Sequence, residues 1–424
     1  MFTQEENELL TQVGPGTPMG ELMRRYWVPA FLAEELPTPG CAPVRTRLFG
    51  EDLVGFRDSH GRVGLLGEYC SHRQASLFYG RPHEEEPGLR CVYHGWKYDV
   101  DGRILETPAE PIDSRLKELI RHTAYPCVEV NGLIMTYMGP PEKKPLLPTF
   151  PWLTLPSDHV SVGSKFLLEA NWLQCLEGDN DSIHTAYLHR RGEATSVEAI
   201  ARQSPIRNVE IDVLPWGVRG VTVYPVDESR VFLRTNTFMM PCIGNTPRVE
   251  RGFKAGLNPA VHTIYQVPAD DYTNWRYDFE TFWDRPTDGS YGEGHRREVG
   301  PGFKPLMNRS NDYLIDRDKQ RAGEPWSGVD ALNHTQDAVV TETMGTRSGP
   351  GSITDRTKEN LGATDQHLIA IRRFLLRAVR DHQEGSDPPG VVYDEAQNDV
   401  HNWVHMVTGV LPMGTNWREL LPDV

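Results

Sequence analysis

Two cysteine–histidine pairs constrain this chain more than any other feature of its sequence. The first pair is Cys70-x-His72 and the second is Cys91-x2-His94. Two thiolates and two imidazoles in such pairs can hold a [2Fe-2S] cluster, with the thiolates on one iron and the imidazoles on the other. Histidine ligation raises the reduction potential well above that of an all-cysteine cluster. The pairs therefore predict an electron-transfer centre.

The same four residues are compatible with three other interpretations. A structural zinc site uses Cys and His ligands, but its usual order is a cysteine pair followed by a histidine pair, whereas each half here carries one of each. A Cys70–Cys91 disulfide needs an exported chain, and nothing in the sequence indicates export. Chance placement fits poorly with the strand-forming residues, broken by a glycine, that follow Cys91. The cluster is the favoured prediction.

Length and charge narrow the class of protein further. A chain of 424 residues exceeds what one hydrophobic core usually organises, so we expect two domains. Its 44 Lys and Arg against 59 Asp and Glu give a net charge of −15, which argues against nucleic acid and anionic membranes as partners. The acidic start lacks the pattern of a signal peptide, and no apolar run reaches a transmembrane length. With only six cysteines, the chain is expected in the reducing cytoplasm.

Turn and linker signals predict three segments. Residues 1–42 are expected to form a helical segment, with helix to about residue 30, that packs on the C-terminal domain. Residues 43–140 show the short runs and turn signals of an all-β domain built from hairpins, and both Cys–His pairs fall inside it. The proline-rich stretch 139–148 predicts a stiff connector at a domain boundary. Residues 141–424 then form the second domain.

The second domain is predicted to be an antiparallel sheet flanked by helices. Runs rich in Val, Tyr, Phe and Thr predict its strands near residues 208–214, 218–225, 230–240 and 262–283. Helical patterns cover about 169–190 and 364–382. The polar stretch 284–335 is expected to be a long functional or mobile cover. The chain as a whole is therefore of the α+β class.

A second group of candidate metal ligands lies in the first of these helical patterns. His184 and His189 are five residues apart, or about 140° on an ideal helix, so a shared metal needs a helix end or a π-bulge. Asp181 can orient His184 from three residues away. Two histidines and a carboxylate are the facial triad of Fe(II) oxygen chemistry, whereas histidines at a helix end can simply cap carbonyls. Spacing leaves Asp179, Asp181 and Asp337 open as the carboxylate.

Together, the two groups of residues resemble the terminal oxygenase (α) subunits of the Rieske non-haem iron ring-hydroxylating oxygenases. The Cys70 and Cys91 pairs resemble the family's cluster signature, and Asp181-x2-His184-x4-His189 resembles its mononuclear iron motif. Further along, four segments look like the phthalate dioxygenase branch of the family, namely residues 313–317, 336–339, 343–345 and 355–362. The resemblance covers nearly the whole chain.

The resemblance implies a fold and a role for individual residues. The implied fold is a Rieske [2Fe-2S] β domain over residues 43–140 plus a helix-grip-like catalytic domain with an antiparallel sheet and flanking helices. It implies that Cys70, His72, Cys91 and His94 bind the Rieske cluster. It implies that His184, His189 and Asp337 bind Fe(2+). Asp181 becomes the bridge that connects an iron ligand to the cluster of an adjacent subunit. Function then requires a homo-oligomer, as a trimer or hexamer.

The resemblance also implies partners and a reaction. Electrons come from an NADH-dependent reductase with flavin and iron–sulfur centres, and O2 is the co-substrate. The product is a hydroxylated aromatic carboxylate of the phthalate or benzoate type. The same metal pair supports an alternative, O- or N-demethylation or aryl-ether cleavage. Two remoter alternatives are a Rieske electron carrier without oxygenase activity and a structural zinc protein.

A carboxylate substrate of so acidic a chain would need a local arginine to bind it. Arg219 and Arg234 lie on strand-like runs after the iron motif and are the candidates for substrate binding. Arg207 is a third. The alternative for each is a surface salt bridge.

Overall fold

The computed structural model describes residues 2–83, 86–248, 255–348 and 351–422. Its α-helices are α1 Gln4–Thr11, α2 Pro18–Met23, α3 Leu116–Leu119, α4 Pro151–Thr154, α5 Trp172–Asn180, α6 Val197–Arg202, α7 Ser290–Arg296, α8 Arg317–Ala322, α9 Asn333–Thr341 and α10 Gln366–Gln383. Its first eleven strands are β1 Trp27–Leu32, β2 Val44–Leu48, β3 Glu51–Arg57, β4 Val63–Gly67, β5 Arg81–Pro82, β6 Leu89–Arg90, β7 Lys97–Tyr98, β8 Ile104–Glu106, β9 Ala124–Tyr125, β10 Cys127–Val130 and β11 Leu133–Tyr137. The others are β12 Val160–Leu168, β13 Asn208–Leu214, β14 Gly217–Pro225, β15 Arg230–Met239, β16 Ile243–Pro247, β17 Ala255–Leu257, β18 Ala260–Pro268, β19 Asn274–Phe282, β20 Thr346–Ser348, β21 Gly351–Ile353 and β22 Val407–Pro412.

The N-terminal β region consists of three small antiparallel sheets. Their strand orders are β2-β3-β4-β9, β5-β6-β7-β8 and β1-β11-β10. A separate hydrophobic core fills the space between the first two sheets, and it includes Phe56, Trp96 and Tyr98. Cys70 and Cys91 belong to this core and are 1% and 3% exposed. The sulfur atoms of the first predicted metal group are therefore shielded from bulk water.

The C-terminal domain is built on a nine-stranded antiparallel sheet. Its main strand order is β12-β19-β18-β16-β15-β14-β13, and β22 pairs with both β15 and β17. Helices α5 and α10 pack on one face of this sheet, and glycines permit the close approach. A Cβ atom on Gly244 of β16 would lie 3.0 Å from Asp179 Cβ, and one on Gly220 of β14 would lie 2.4 Å from the His367 ring. The sheet therefore holds the end of α5 in a fixed position.

The segment before the β region differs from its predicted structure. We predicted helix to about residue 30, but α2 ends at Met23 and Trp27–Leu32 is the strand β1, paired with β11. All six residues of β1 are buried, so its apolar run reflects burial on both sides rather than one face of a helix. Leu10 and Leu22 pack in the same core as Trp172 of the C-terminal domain. The domain boundaries at residues 42 and 140 stay predictions.

The secondary structure predicted for the C-terminal domain agrees with the observed elements in part. The strand predicted over 208–214 coincides with β13. The predicted run over 262–283 divides into β18 and β19, joined by a turn. The stretch 284–335, predicted as a long functional or mobile cover, contains α7 and α8 as well as the start of α9. In the described part of the chain, no helix has the length and apolar character needed to cross a membrane.

Candidate active site: a cluster pair and a metal triad

The loops that carry the two Cys–His pairs have the same backbone conformation. In each loop, the cysteine N–H donates to the carbonyl five residues further on, over 2.9 Å from Cys70 and 2.8 Å from Cys91. The fourth residue after each cysteine has a left-handed backbone, with φ of 59° at Gln74 and 77° at Gly95. Each loop therefore turns sharply and presents its Cys and His side chains from one tip.

The two tips face each other. The ring centroids of His72 and His94 lie 4.6 Å apart, and the His72 ring stacks on Trp96 with centroids 4.8 Å apart. His94 Nδ1 is buried and has no hydrogen-bond partner among the described residues. Cys70 and Cys91 are free thiols, so the disulfide alternative is wrong. Two free sulfurs and an unpartnered imidazole nitrogen fit a [2Fe-2S] cluster with mixed ligands.

Hydrogen bonds support the cluster loops from behind. The Tyr98 hydroxyl lies 2.9 Å from Cys70 Sγ, and burial, followed by this sulfur, raises the pKa of Tyr98 far above its usual value. Tyr98 is therefore a neutral donor to the sulfur. His122 lies 2.7 Å from Ser71 Oγ and 2.8 Å from the Gly67 carbonyl, and burial lowers its pKa. Hydrogen bonds to cluster sulfurs are among the features that set the reduction potential.

The second predicted metal group meets where α5 ends. After Asn180 the chain leaves the helix, and a short 3-10 turn follows at His184–Ala186. His184 Nε2 and His189 Nε2 lie 3.1 Å apart, and Asp337 Oδ1 is 3.5 Å from the first and 3.1 Å from the second. Ligands about 2.1 Å from one ion lie about 3.0 Å apart at a right angle. The three atoms therefore fit one face of a metal's coordination sphere, with other positions open.

Asp337 comes from α9, far along the chain from the two histidines. Burial opposes its ionisation, but His189, His184 and Arg276 hold the pKa of Asp337 well below its usual range. The carboxylate is thus charged at neutral pH. Among the described residues, this is the one set of His, Cys, Asp and Glu side chains whose ligand atoms converge in this way.

A glutamine fixes the ring of His189. The Gln336 Oε1 atom lies 2.8 Å from His189 Nδ1, and Gln336 Nε2 donates to the Val329 carbonyl over 2.9 Å. The second bond orients the amide, so its oxygen must accept the Nδ1 proton of His189. Nε2 is then the unprotonated nitrogen that faces Asp337. A partner of this kind sets the tautomer of a metal-binding histidine.

Replacement of Gln336 by leucine is expected to weaken metal binding by about 10- to 100-fold, since His189 loses the acceptor that fixes its tautomer. Iron affinity of the chelator-stripped protein, measured by titration with Fe(2+) under anaerobic conditions, tests this effect. Gln336→Glu is the matched control because it keeps an acceptor oxygen, and it should stay close to the original protein. Equal iron affinity in the leucine variant would contradict the role of Gln336.

Asp181 lies on the other side of His184. Its Oδ2 atom is 3.6 Å from His184 Nδ1, which is buried and has no hydrogen-bond partner among the described residues, while Oδ1 accepts from the Ile183 N–H over 2.7 Å. Burial opposes the ionisation of Asp181, but His184 lowers its pKa. The Asp181 side chain is 29% exposed. Asp181 thus lies beside the metal ligand His184, is partly exposed and also lines the cavity of the triad.

Asp179, the remaining candidate ligand, is engaged elsewhere. Its carboxylate accepts from Arg276 Nη1 at 3.0 Å and from Gln266 Nε2 at 2.7 Å. Burial raises its pKa to about 6, although Arg276 and Gln266 act against this shift. Arg276 also pairs with Asp278 and lies 3.8 Å from Asp337. Arg276 therefore holds the carboxylates around the metal site in place and keeps Asp179 away from it.

A cavity of about 880 Å³ opens in front of the triad. His184, His189 and Asp337 line it, and so do Arg202 and Arg234. Its volume is in the range of sites that bind small organic molecules. Arg248 and Arg276 line it too, but they are paired with Glu280 and Asp278. The site therefore combines the metal triad and an open cavity with two arginines that form no ion pair among the described residues.

The structure does not bring Arg219, one of the two predicted substrate-binding arginines, to the metal cavity. In the antiparallel register of β14 and β15, Thr222 lies opposite Arg234 and Arg219 lies opposite Thr237. Successive side chains of a strand point to opposite faces, so Arg219 points away from the face that carries Thr222 and Arg234. Arg219 is 3% exposed and does not line the cavity. Arg234 is the candidate whose side chain faces the metal triad.

Arg207 is also outside the cavity, where its Nη1 contacts Met413 Sδ at 3.2 Å. Sequence reasoning missed Arg202, which lies at the end of the short helix α6 and lines the cavity. It also missed the role of Arg276, because an arginine in an alternating strand gives no sign of its partners. The Gln336 amide adjoins Asp337 in sequence, which was the available signal for it.

Comparisons with known proteins agree with this geometry. Residues 26–120 match the family model "Rieske [2Fe-2S] domain", and residues 136–423 match "LigXa C-terminal domain like". The phthalate 4,5-dioxygenase oxygenase subunit of Pseudomonas putida is 35% identical over 441 residues, which cover 99% of this chain and 94% of that protein. The 3-chlorobenzoate-3,4-dioxygenase oxygenase subunit of Comamonas testosteroni is 35% identical, with 93% of each chain covered.

Solved structures share the fold at lower identity. Dicamba monooxygenase bound to dicamba superposes with a TM-score of 0.58 at 16% identity, covering 85% of this chain and 99% of that one. The terminal oxygenase of carbazole 1,9a-dioxygenase from Novosphingobium sp. KA1 gives a TM-score of 0.58 at 17% identity, covering 88% and 98%. The α+β prediction, a Rieske β domain plus a larger catalytic domain, is confirmed.

The chain belongs to the Rieske non-haem iron oxygenases, as an oxygenase (α) subunit of a multicomponent enzyme. Its cofactors are a Rieske [2Fe-2S] cluster and Fe(2+), and its partners include O2 and an electron-transfer protein. The electron-carrier and structural-zinc alternatives are therefore wrong.

Proposed function

We propose that this subunit hydroxylates an aromatic carboxylate of the phthalate or benzoate type, with O2 and with electrons from an NADH-dependent flavin and iron–sulfur reductase. The observation that carries the substrate class is the pair of arginines at the metal cavity. The names of the phthalate and chlorobenzoate relatives support the same class. Such an activity belongs to the catabolism of aromatic compounds.

Arg202 and Arg234 are suited to bind an anion. Among the described residues, neither forms an ion pair, and each has a buried Nε–H without a hydrogen-bond partner. Glu198 is the acidic group that acts on Arg202. Burial and the charge of Arg202 lower the pKa of Arg234 to about 10, which leaves it charged at pH 7. Two cationic groups with free donors favour a carboxylate, because charge-assisted hydrogen bonds are the strong ones.

When bound, the cluster supplies electrons one at a time and the ferrous ion activates dioxygen. In the proposed assignment, Cys70, His72, Cys91 and His94 hold the cluster, and His184, His189 and Asp337 hold the iron. The protein's own contribution is to orient these ligands and the substrate. Gln336 keeps the Nε2 lone pair of His189 directed at the metal position, and His189, His184 and Arg276 together keep Asp337 ionised. Arg202 and Arg234 hold the aromatic ring of the substrate in place by binding its carboxylate.

We propose further that Asp181 connects two subunits of a homotrimer or hexamer. The Asp181 side chain is 29% exposed, and Val92 and Tyr93 beside His94 are 63% and 54% exposed. Among the described residues, no hydrogen bond or ring contact joins His94 to Asp181 within one chain. In an oligomer where the cluster of one subunit lies next to Asp181 of its neighbour, both of these exposed sites would be used. Six free cysteines are consistent with a cytoplasmic site of action.

Demethylation is the second candidate function. The 5,5'-dehydrodivanillate O-demethylase oxygenase subunit of Sphingobium sp. is 32% identical over 401 residues, covering 94% of this chain and 85% of that one. The experiment that separates the two functions uses the holoenzyme with a compatible reductase. Substrate-stimulated NADH and O2 consumption would be measured with phthalates, benzoates, phenoxybenzoates and methoxybenzoates, and a diol would be distinguished from formaldehyde by product analysis.

Replacement of Arg234 by methionine is expected to weaken the binding of the best carboxylate substrate by about 10- to 100-fold, because it removes a charge-assisted hydrogen bond. Anaerobic calorimetry on the iron-loaded enzyme gives the dissociation constant. Arg219→Met is the matched control, since this strand arginine points away from the cavity, and its affinity should be unchanged. An unchanged constant for Arg234→Met would remove the support for a carboxylate substrate.

A further inference from the structure

One wall of the metal cavity consists of side chains that have no role in the function proposed above. His262, Tyr291, His295 and His334 line this wall. His262 Nε2 lies 3.0 Å from Asp278 Oδ1 and also contacts the Tyr291 hydroxyl. The His295 ring stacks on the His334 ring, with centroids 4.6 Å apart. The wall is thus aromatic, and some of its polar atoms are linked by hydrogen bonds.

The hydrogen-bond direction along this wall follows from the charge of Asp278. Arg276 donates to both of its oxygens, at 2.9 and 3.1 Å. Burial opposes ionisation, but Arg276 holds the pKa of Asp278 well below its usual range. An ionised Asp278 accepts, so His262 must donate its Nε2–H. The same N–H faces the Tyr291 oxygen.

Tyr291 is therefore a donor without an acceptor. Since the neighbouring His262 nitrogen carries a proton, the hydroxyl proton of Tyr291 cannot be donated to it. Among the described residues, the Tyr291 hydroxyl has no other hydrogen-bond partner. Burial raises the pKa of Tyr291 far above its usual value, so the side chain is a neutral phenol. A bound ligand could supply the acceptor that this buried hydroxyl lacks.

His295 supplies the complementary acceptor. Its Nδ1 donates to the Tyr291 carbonyl over 2.8 Å, which leaves the lone pair on Nε2. Burial lowers the pKa of His295 to about 4, so the ring is neutral at pH 7. The ring centroids of Tyr291 and His295 lie 4.1 Å apart. One free donor and one free acceptor are thus adjacent on the cavity wall.

We propose that this wall is a subsite for a neutral oxygen substituent of the aromatic substrate, either a phenolic hydroxyl or a methoxy group. Tyr291 donates to that oxygen, and His295 Nε2 accepts the proton of a hydroxyl. A second carboxylate fits less well, because the ionised Asp278 is bonded to His262 beside Tyr291 and His295 is uncharged.

The inference rests on the proposed function, because it assigns the end of the substrate that lies away from the arginine pair. Arg234 is on β15, and His262 is on β18, two strands further across the sheet. Neighbouring strands are spaced by about 4.8 Å, so the two positions are roughly 10 Å apart. That separation accommodates one substituted aromatic ring between the two groups.

The test compares Tyr291→Phe with the original holoenzyme in anaerobic binding measurements. The probes are benzoate, 3- and 4-hydroxybenzoate, 3- and 4-methoxybenzoate, and guaiacol, which lacks the carboxylate. We expect the original enzyme to bind the best oxygen-substituted benzoate more tightly than benzoate. Tyr291→Phe should lose about 5- to 10-fold in affinity for that probe and nothing for benzoate. Tyr272→Phe, on the β18–β19 turn outside the cavity, is the control.

The outcomes separate the two proposals. If benzoates bind through Arg234 and Tyr291→Phe changes no affinity, the subsite is overturned and the carboxylate assignment stands. If guaiacol binds in a Tyr291-dependent way while the benzoates do not bind, the subsite stands and the carboxylate assignment fails. Absence of binding by every probe overturns both. Iron and sulfide contents equal to those of the original enzyme show that the variant is loaded and folded.

Discussion

Asp337→Asn is expected to lose the mononuclear iron and to lower turnover by at least about 100-fold, a larger effect than the 10- to 100-fold loss typical of groups behind metal ligands. The carboxylate oxygen lies 3.1 Å from His189 Nε2 and 3.5 Å from His184 Nε2. An amide carries no charge to offset the cation. Iron content should therefore fall, while acid-labile sulfide and the visible spectrum of the cluster stay unchanged.

Asp179→Asn is the informative comparison for this variant. Asp179 is also an aspartate beside the metal histidines, but Arg276 and Gln266 occupy its carboxylate. We expect this variant to keep its iron. Iron retained in Asp337→Asn and lost in Asp179→Asn would reverse the assignment of the third ligand.

Asp181→Asn is expected to leave both metal centres loaded and to reduce turnover by about 100-fold or more. The change removes the negative charge that lies 3.6 Å from His184 Nδ1, yet it leaves the Nε2 side of that ring and Asp337 intact. In a bridging role, the loss falls on electron transfer between centres. Stopped-flow spectroscopy should show a normally reduced cluster whose reoxidation by O2 with substrate is slow.

A surface aspartate provides the control for Asp181. The side chain of Asp318 on α8 is 87% exposed, so Asp318→Asn alters the net charge equally without touching the metal site. It should retain full turnover. Unchanged product formation by Asp181→Asn would exclude the bridging role, and loss of iron from that variant would indicate a purely structural one.

Local signals in the sequence predicted the two metal groups well, because their spacing is short. The Cys70 and Cys91 loops each present their ligands within four residues, so spacing alone restricts their chemistry. The need for a helix end at His184 also followed from helix geometry, and α5 ends at Asn180. Asp337 was chosen from three candidate carboxylates only through a family resemblance, since no local pattern relates α9 to the end of α5.

The substrate arginines show what the sequence pattern could not predict, namely which face of each strand meets the metal site. Arg219 and Arg234 both lie in strand-like runs, and alternation indicates that a strand has two faces without saying which face meets the metal. Only the pairing of Thr222 with Arg234 separates them. Arg202 was missed because its position depends on how α6 lies over the cavity. Apolar runs were ambiguous in the same way at Trp27–Leu32, where a buried strand has the composition of a buried helix.

The contacts of helix α1 have a consequence for how the protein is made. Trp172 Nε1 donates to the Leu10 carbonyl, Asn7 Nδ2 donates to the Thr354 carbonyl, and Arg380 pairs with Glu6. The β domain that follows α1 has a core of its own. Since domains fold as units during synthesis, the cluster-binding loops are complete on the ribosome long before Arg380 emerges. Helix α1 is thus translated before the β domain but can complete its contacts only after the C-terminal domain has been made.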